Sequence, residues 1–334
     1  MGELYQAKIL KSTKRISNIQ MSYKIITICI LFLINVNCLF GLEGQAKDNS
    51  LLLDKNSHFT RINEVRVHYK MIEPSQSPVG NIVLIHGFAA STFSWRNNMD
   101  FLADKGYRVV AIDMPGYGYS EKQRSFDHSH ESRAKITWQL IDSISSEKWI
   151  LIGHSMGGGT AGYMAAINPD QTEKLVMANG VFGEMQDTPG RFLGRYLVRF
   201  PVFYHLIEGI SKAFVINQER FEEHLSSAYG EDADSIAVAG YIEPFKIEGS
   251  SVAVIETFLR GFDETPPDLN KIIMPVLLIW GENDTWVPVE TGHDLHSVLE
   301  NSKMEVISNA GHNPMETHPD AFNEKLLRFL SNSN

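Results

Sequence analysis

Apolar and polar positions along this chain repeat with two different periods, and the switches between them mark its elements. His58 to Glu73 alternates in steps of two, with Phe59, Ile62, Val65, Val67, Tyr69 and Met71 separated by polar residues. Arg61–Glu64 can turn, so the stretch predicts an antiparallel hairpin that ends at Pro74–Pro78. Apolar runs follow within Asn81–Ile85, Arg108–Ile112, Trp149–Ile152, Lys174–Ala178 and Pro275–Ile279, and Met304–Ile307 gives a last strand. Such runs are the mark of strands covered on both faces. Helical spacing lies between them: Trp95–Lys105 with Met99, Leu102 and Ala103 inward, Arg133–Ile144 with Ile136, Leu140, Ile141 and Ile144, and Ala321–Leu330 with Phe322, Leu326, Phe329 and Leu330. Regular alternation of strand and helix predicts an α/β fold: a mostly parallel sheet with right-handed crossovers and helices on both faces.

The rhythm breaks over residues 184–265, where only helical spacing is found. Phe192, Tyr196 and Phe200 share a face, as do Phe221, Leu225 and Tyr229, and Val252, Ile255 and Phe258 or Leu259. Pro266 and Pro267 close the segment. The expected organisation is an α/β core, residues 58–183 and 266–334, interrupted by a helical insertion at 184–265. A polar linker, 43–57, and an N-terminal segment, 1–42, precede it.

That N-terminal segment reads as a targeting signal. Residues 1–24 carry five Lys/Arg (Lys8, Lys11, Lys14, Arg15, Lys24) against Glu3, and Ile25–Ile34 is almost wholly apolar. An apolar core of about 10–14 residues suits a signal h-region, whereas a membrane span needs about 20. A cleaved signal is the first expectation, and an uncleaved anchor over Ile25–Leu42 the second. Met21 is an alternative start, and lipidation of Cys38 a minor alternative fate. Either way the protein is expected to be exported, secreted or periplasmic; the anchor alternative adds membrane association through residues 25–42.

The chain has 334 residues and a net charge of −10, which argues against a nucleic-acid partner. Its two cysteines, Cys29 and Cys38, both fall in the N-terminal segment, so no disulfide framework, thiol nucleophile or cysteine metal site is expected in the rest. No H-E-x-x-H or comparable ligand spacing suggests a metal, and Gly116-Tyr117-Gly118 opens no dinucleotide fingerprint. No cofactor is expected.

Chemistry enters at Gly153-His154-Ser155-Met156-Gly157, a G-x-S-x-G between the apolar Trp149–Ile152 and the small-residue run Gly158–Ala166. Strand, tight turn and helix are the setting in which such a serine becomes a nucleophile, with small neighbours to allow the turn. A serine hydroxyl is a weak nucleophile, so it needs a base and a residue to orient that base. In this architecture the acid and then the histidine follow the serine. Asp284 stands just after the Pro275–Ile279 strand, with Glu282 as its rival, and His312 just after the last strand. Asp113 precedes the serine and is expected to anchor its own turn, and His86 to hold its loop. A developing oxyanion needs two N–H donors, expected from Met156 and from Phe88 in the loop after the Asn81–Ile85 strand. The Phe88 side chain would border the substrate.

These landmarks together resemble the α/β-hydrolase-fold superfamily over residues 58–331: His86-Gly87-Phe88, Asp113–Ser120, Gly153–Gly157, Gly281–Asp284 and Gly311-His312. The resemblance implies a Ser155–Asp284–His312 triad with a helical cap at 184–265. It is silent on substrate. Members with serine at the turn include esterases, monoacylglycerol lipases, carbon–carbon bond hydrolases and cofactor-free haloperoxidase-like enzymes. Those with aspartate there, such as epoxide hydrolases, are excluded by Ser155. The aromatics Phe192, Tyr196, Phe200, Phe203, Tyr204 and Phe214 either form the core of the cap or line an acyl pocket. The leading expectation is a serine hydrolase cleaving a carboxylic ester of apolar acyl group, its partner a small-molecule ester, lipid-derived in one version. A carbon–carbon hydrolase of vinylogous diketones and a non-catalytic ligand-binding homologue are the alternatives.

Overall fold

The computed structural model describes residues 53–123, 125–182, 209, 218–260 and 266–331. The N-terminal segment 1–42, the linker up to residue 52 and the aromatics from Phe192 to Phe214 lie outside the described residues.

Eight strands form one sheet: β1 Ser57–Ile62, β2 Val65–Ile72, β3 Gly80–Ile85, β4 Tyr107–Ile112, β5 Trp149–His154, β6 Thr172–Ala178, β7 Val276–Gly281 and β8 Ser302–Ile307. Their spatial order is β1-β2-β4-β3-β5-β6-β7-β8. The β1–β2 and β2–β4 pairs are antiparallel, and all later neighbours are parallel. The hairpin is as expected: Asn63 and Glu64 form a two-residue turn, both at positive φ, which matches the twist of the strands it joins. Phe59 departs from the inward pattern. It is 40% exposed, and the Arg66 guanidinium covers its ring at 3.8 Å.

Alternate residues of the central strands feed two separate cores. Val83, Ile85, Val110, Ile112, Leu151, Leu175, Met177 and Leu278 face one side with helices α2 (His130–Ile144) and α3 (Met156–Ile167). Ile82, Leu84, Val109, Ala111, Ile150, Ile152, Val176 and Ile279 face the other with α1 (Met99–Asp104) and the C-terminal helix Pro319–Ser331. Both faces being covered is why these strands read as continuous apolar runs rather than alternation. The helix expected from Trp95 is shorter than that. Thr92–Trp95 is a 3₁₀ turn capped by Ser91, and the α-helix starts only at Met99. Trp95 is wholly buried against Phe322, at 6.4 Å between ring centroids, so its apolar character reports the core and not a helix face.

Between β6 and β7 the described residues hold helices α4 (Gln218–Tyr229), α5 (Ser235–Ile242) and α6 (Ser250–Arg260) and a 3₁₀ turn at Glu243–Lys246. Leu225 and Tyr229 are buried with Val238 and Tyr241, and Phe221 packs on them, so the face read from spacing is the packed one. Helix α7, Val289–Val298, is absent from the expectations above. Its apolar residues Val289, Leu295 and Val298 are only partly buried, which leaves a weak periodic signal. Short α8 (Pro314–Thr317) and the C-terminal α9 (Pro319–Ser331) complete the chain. No helix of the described residues is long and apolar enough to cross a membrane.

The chain lays β4 on one side of β3 and then β5 on the other. The crevice at the carboxyl ends of β3 and β5 is therefore a topological switch point, the place where open α/β sheets carry their sites. The loop after β3 and the Ser155 turn after β5 meet there.

Candidate active site

Ser155 sits at φ 52° and ψ −120°, a conformation that costs a non-glycine residue about 1–3 kcal/mol and persists only when its surroundings impose it. The imposition is visible. Ser155 N–H donates to the Ala178 carbonyl at 2.9 Å, tying the turn to β6, and Gly158 N–H donates to the Ser155 carbonyl at 2.9 Å as α3 begins. From Trp149 to Ala166, Ser155 is the one residue that is not buried. A Cβ on Gly157 would stand 2.2 Å from the Ile85 carbonyl oxygen. Gly157→Ala must therefore push α3 off β3, and a loss of about 2–3 kcal/mol in the urea-unfolding free energy is expected, as for overpacked cores.

Gly87, in the loop after β3, lies against the serine: a Cβ there would be 3.3 Å from Ser155 Cβ and 2.9 Å from His154 Nδ1. Phe88 follows, half-buried, and packs on the core with its ring 6.3 Å from that of Tyr117. Met156 is the first residue of α3, where N–H groups have no partner within the helix and the helix end is electropositive. His86 holds its loop as expected. Its Nε2 accepts from Met114 N–H at 3.1 Å and its Nδ1–H donates to the Gly87 carbonyl at 2.7 Å. Asp113 likewise anchors its turn, accepting from Thr92 N–H at 2.6 Å, Tyr119 N–H at 2.8 Å and His68 Nδ1 at 2.7 Å.

Asp284 and His312 come from the ends of β7 and β8 and are joined directly, Nδ1 to Oδ2, at 2.7 Å. Both are buried. The remaining capacity of the carboxylate is filled: Trp286 and Val287 N–H groups donate to Oδ1 at 2.8 Å each, and Asn179 Nδ2 donates to Oδ2 at 2.5 Å. Burial alone would raise the Asp284 pKa, but the charge of His312 and these hydrogen bonds outweigh it and hold the carboxyl below its ordinary value. The rival, Glu282, is exposed and points elsewhere, accepting from Asn309 N–H at 3.1 Å.

His312 is held on other sides too. The Trp286 ring stacks on it at 5.6 Å and 22°, and the His154 ring lies 4.9 Å away. His154 Nε2 donates to the His312 carbonyl at 2.8 Å. Through His154, the residue before Ser155, the serine turn and the histidine loop are in contact. Asn179, Trp286 and His154 are absent from the expectations above. Asn179 had a usable signal, since it too stands at the carboxyl end of a strand.

Three buried histidines make the fold acid-sensitive. Burial is the main cause that lowers His86 to about 4, His130 to about 3 and His154 to about 3, the charge of His312 adding to the effect at His154. In the unfolded chain these rings take up protons as pH falls through about 6.5, while the folded state refuses them until about 3–4, so stability present above about 6.5 is lost on acidification. Each contributes a slope approaching about 1.4 kcal/mol per pH unit in that window. The urea midpoint is expected to fall clearly between pH 7.5 and pH 5; a flat midpoint would contradict it.

The α/β-hydrolase fold family matches residues 80–319. The chain belongs to that family, and hydrolysis is its reaction class. It is 31% identical over 271 residues to the uncharacterized hydrolase YugF of Bacillus subtilis (strain 168), covering 80% of this chain and 96% of that one. It is 30% identical over 275 residues, 80% of this chain and 91% of the other, to a 2-hydroxy-6-oxononadienedioate/2-hydroxy-6-oxononatrienedioate hydrolase of Paraburkholderia phymatum. Among solved structures, a membrane phospholipase A described as a bacterial virulence factor superposes with a TM-score of 0.66 at 24% identity, over 82% of this chain and 85% of that chain. At that identity the likeness speaks for the fold.

Proposed function

We propose that this protein is a serine hydrolase that cleaves a carboxylic ester with an apolar acyl group. The observation that carries the reading is the buried Asp284–His312 pair, bonded at 2.7 Å beside the strained turn of Ser155. Asp284 accepts the Nδ1 proton of His312, which leaves the Nε2 lone pair as the base. His312 Nε2 takes the Ser155 Oγ proton as Oγ bonds to the ester carbonyl carbon. The carbonyl oxygen gains the negative charge, and the N–H groups of Phe88 and Met156 bind it. As the tetrahedral intermediate collapses, the C–O bond breaks and His312 gives its proton to the departing alcohol. Water then attacks the acyl-enzyme with His312 again as base, releasing the acid and regenerating Ser155.

The apolar acyl preference rests on the residues around the serine and His312. Gly87, Phe88, Met156 and Trp286 carry no charge. Arg133 lies close to Met156 but is wholly buried, with its guanidinium donating to Met156 Sδ at 3.4 Å and to Thr257. A second reading, carbon–carbon bond hydrolysis of a vinylogous diketone, is favoured by the 30% identical relative whose name gives a dienedioate as substrate. That substrate class carries two carboxylates, and among the described residues the uncharged side chains named above offer them no ion-pair partner. A panel of p-nitrophenyl esters of rising chain length, run beside a 2-hydroxy-6-oxo-dienoate, separates the two. Higher kcat/KM on medium-chain esters is expected; higher kcat/KM on the diketone would replace the first reading by the second.

Export by the N-terminal segment, with access to lipid-derived esters outside the cytoplasm, belongs to the same proposal. It rests on the basic flank and apolar run up to Leu42, and N-terminal sequencing of the mature protein tests it.

A further inference from the structure

We infer that Glu316 is a positioning residue for His312. One buried carboxylate binds helices α4 and α5 to the histidine loop, and His312 reaches its working position only while those helices are docked. The inference rests on the reading of His312 as the base.

Glu316 lies in α8, and its side chain is 0% exposed. Its Oε1 accepts from Tyr241 O–H at 2.5 Å and from Asn313 Nδ2 at 2.8 Å. Its Oε2 accepts from Tyr229 O–H at 2.9 Å and from the Arg96 guanidinium. Two donors belong to the helical segment, Tyr229 to α4 and Tyr241 to α5. The other two belong to the core, and one of these, Asn313, directly follows His312. Burial and the charge of Glu316 raise the pKa of both tyrosines, well above 10 for Tyr241, so both hydroxyls keep their protons and donate. Tyr241 O–H also lies 3.0 Å from Ser94 Oγ.

A buried carboxylate is costly unless its lone pairs are filled. Undocking α4 and α5 would strip Glu316 of two of its four partners. Docking also reaches the histidine itself, through three successive residues of α4. Ser227 Oγ lies 3.4 Å from Nε1 of Trp286, the ring stacked on His312. The Ala228 carbonyl accepts the His312 backbone N–H at 2.6 Å. Tyr229 binds Glu316, and its own carbonyl stands so close to Gly311 that a Cβ there would be 2.3 Å from the oxygen. The C-terminal turn of α4 is thus a wall of the histidine loop. Glu316 touches no reacting atom in the proposed mechanism. Its effect passes through the position of His312, where an error of about 1 Å is worth about a hundredfold in rate.

The test uses Glu316→Gln in the full chain, with p-nitrophenyl ester kinetics, circular dichroism and thermal midpoint. Near-native circular dichroism, kcat lowered about tenfold or more and KM within about twofold are expected, because the loss falls on proton transfer and not on binding. A thermodynamic cycle with His312→Ala then decides. If Glu316 acts through His312, the double variant matches His312→Ala within about twofold. An equal fractional loss in both backgrounds means a general structural role and overturns the inference, as does an unchanged kcat in a folded Glu316→Gln. Should that variant not fold, Tyr241→Phe and Tyr229→Phe, each removing one donor, take its place in the cycle, with the same result expected and the same result overturning the inference. Full activity in His312→Ala would overturn the reading of the base and this inference with it. Loss in His312→Ala without loss in the Glu316 and tyrosine variants would overturn this inference alone.

Discussion

Ser155→Ala is expected to lower kcat for a p-nitrophenyl ester by about 10⁶, the scale seen when a triad nucleophile is removed, and to abolish covalent labelling by a fluorophosphonate. Both losses follow from one atom, since no other hydroxyl stands at the strained turn between β5 and α3. Alanine keeps the Cβ of serine and the N–H bond to the Ala178 carbonyl, so the backbone at φ 52° stays as strained as before. The thermal midpoint should therefore be unchanged within experimental error, which separates lost chemistry from lost folding. Ser155→Gly makes the complementary point. It should be equally inactive yet more stable by about 1 kcal/mol, because glycine adopts such angles without penalty. Retained labelling of Ser155→Ala would place the nucleophile elsewhere.

Asp284→Asn should cost about 10⁴ in kcat, the loss expected when the orienting carboxylate becomes an amide and the imidazole is held in the wrong tautomer. The hydrogen bonds around Asp284 leave the amide no good orientation. Oδ2 receives His312 Nδ1 and Asn179 Nδ2, and Oδ1 receives the Trp286 and Val287 N–H groups. An NH₂ placed on either side meets two donors. Glu282→Gln should keep activity within about threefold, as an exposed change that removes no bond to Asp284 or His312 does. The pair of variants also tests the choice of acid: a severe loss in Glu282→Gln with a mild one in Asp284→Asn would reverse it.

Much of this was legible in the chain. A strand buried on both faces needs apolar side chains at every position, so β3, β5 and β7 could be found as unbroken runs. The tight turns at the strand ends confine residue choice, which is why Gly153 to Gly157 and Gly311-His312 stood out. Where the local pattern served two masters it misled. Trp95 is apolar because it fills the core beside Phe322 and lies in a 3₁₀ turn, so its spacing from Met99 imitated a helix start. Helix α7 escaped for the opposite reason, too few of its residues being buried to leave a period.

The partners of the site residues are another matter. Asn179 holds Asp284, His154 holds His312 and Tyr229 holds Glu316 through bonds between segments far apart in the chain. No local propensity encodes such a bond. It exists because strand order brings the carboxyl ends of β5, β6, β7 and β8 side by side, and because α4 packs its last turn against the His312 loop. Residue order alone was enough for the α/β architecture, for the tight turn at Ser155 and for the places of Asp284 and His312 just after strand ends, since each depends on residue type at a local turn or strand end. The folded chain was needed to show that Asp284 and not Glu282 meets the histidine, and that a buried glutamate bonds both helices and Asn313, the residue after that histidine. Those are matters of distance between chain segments, and distance is settled by packing.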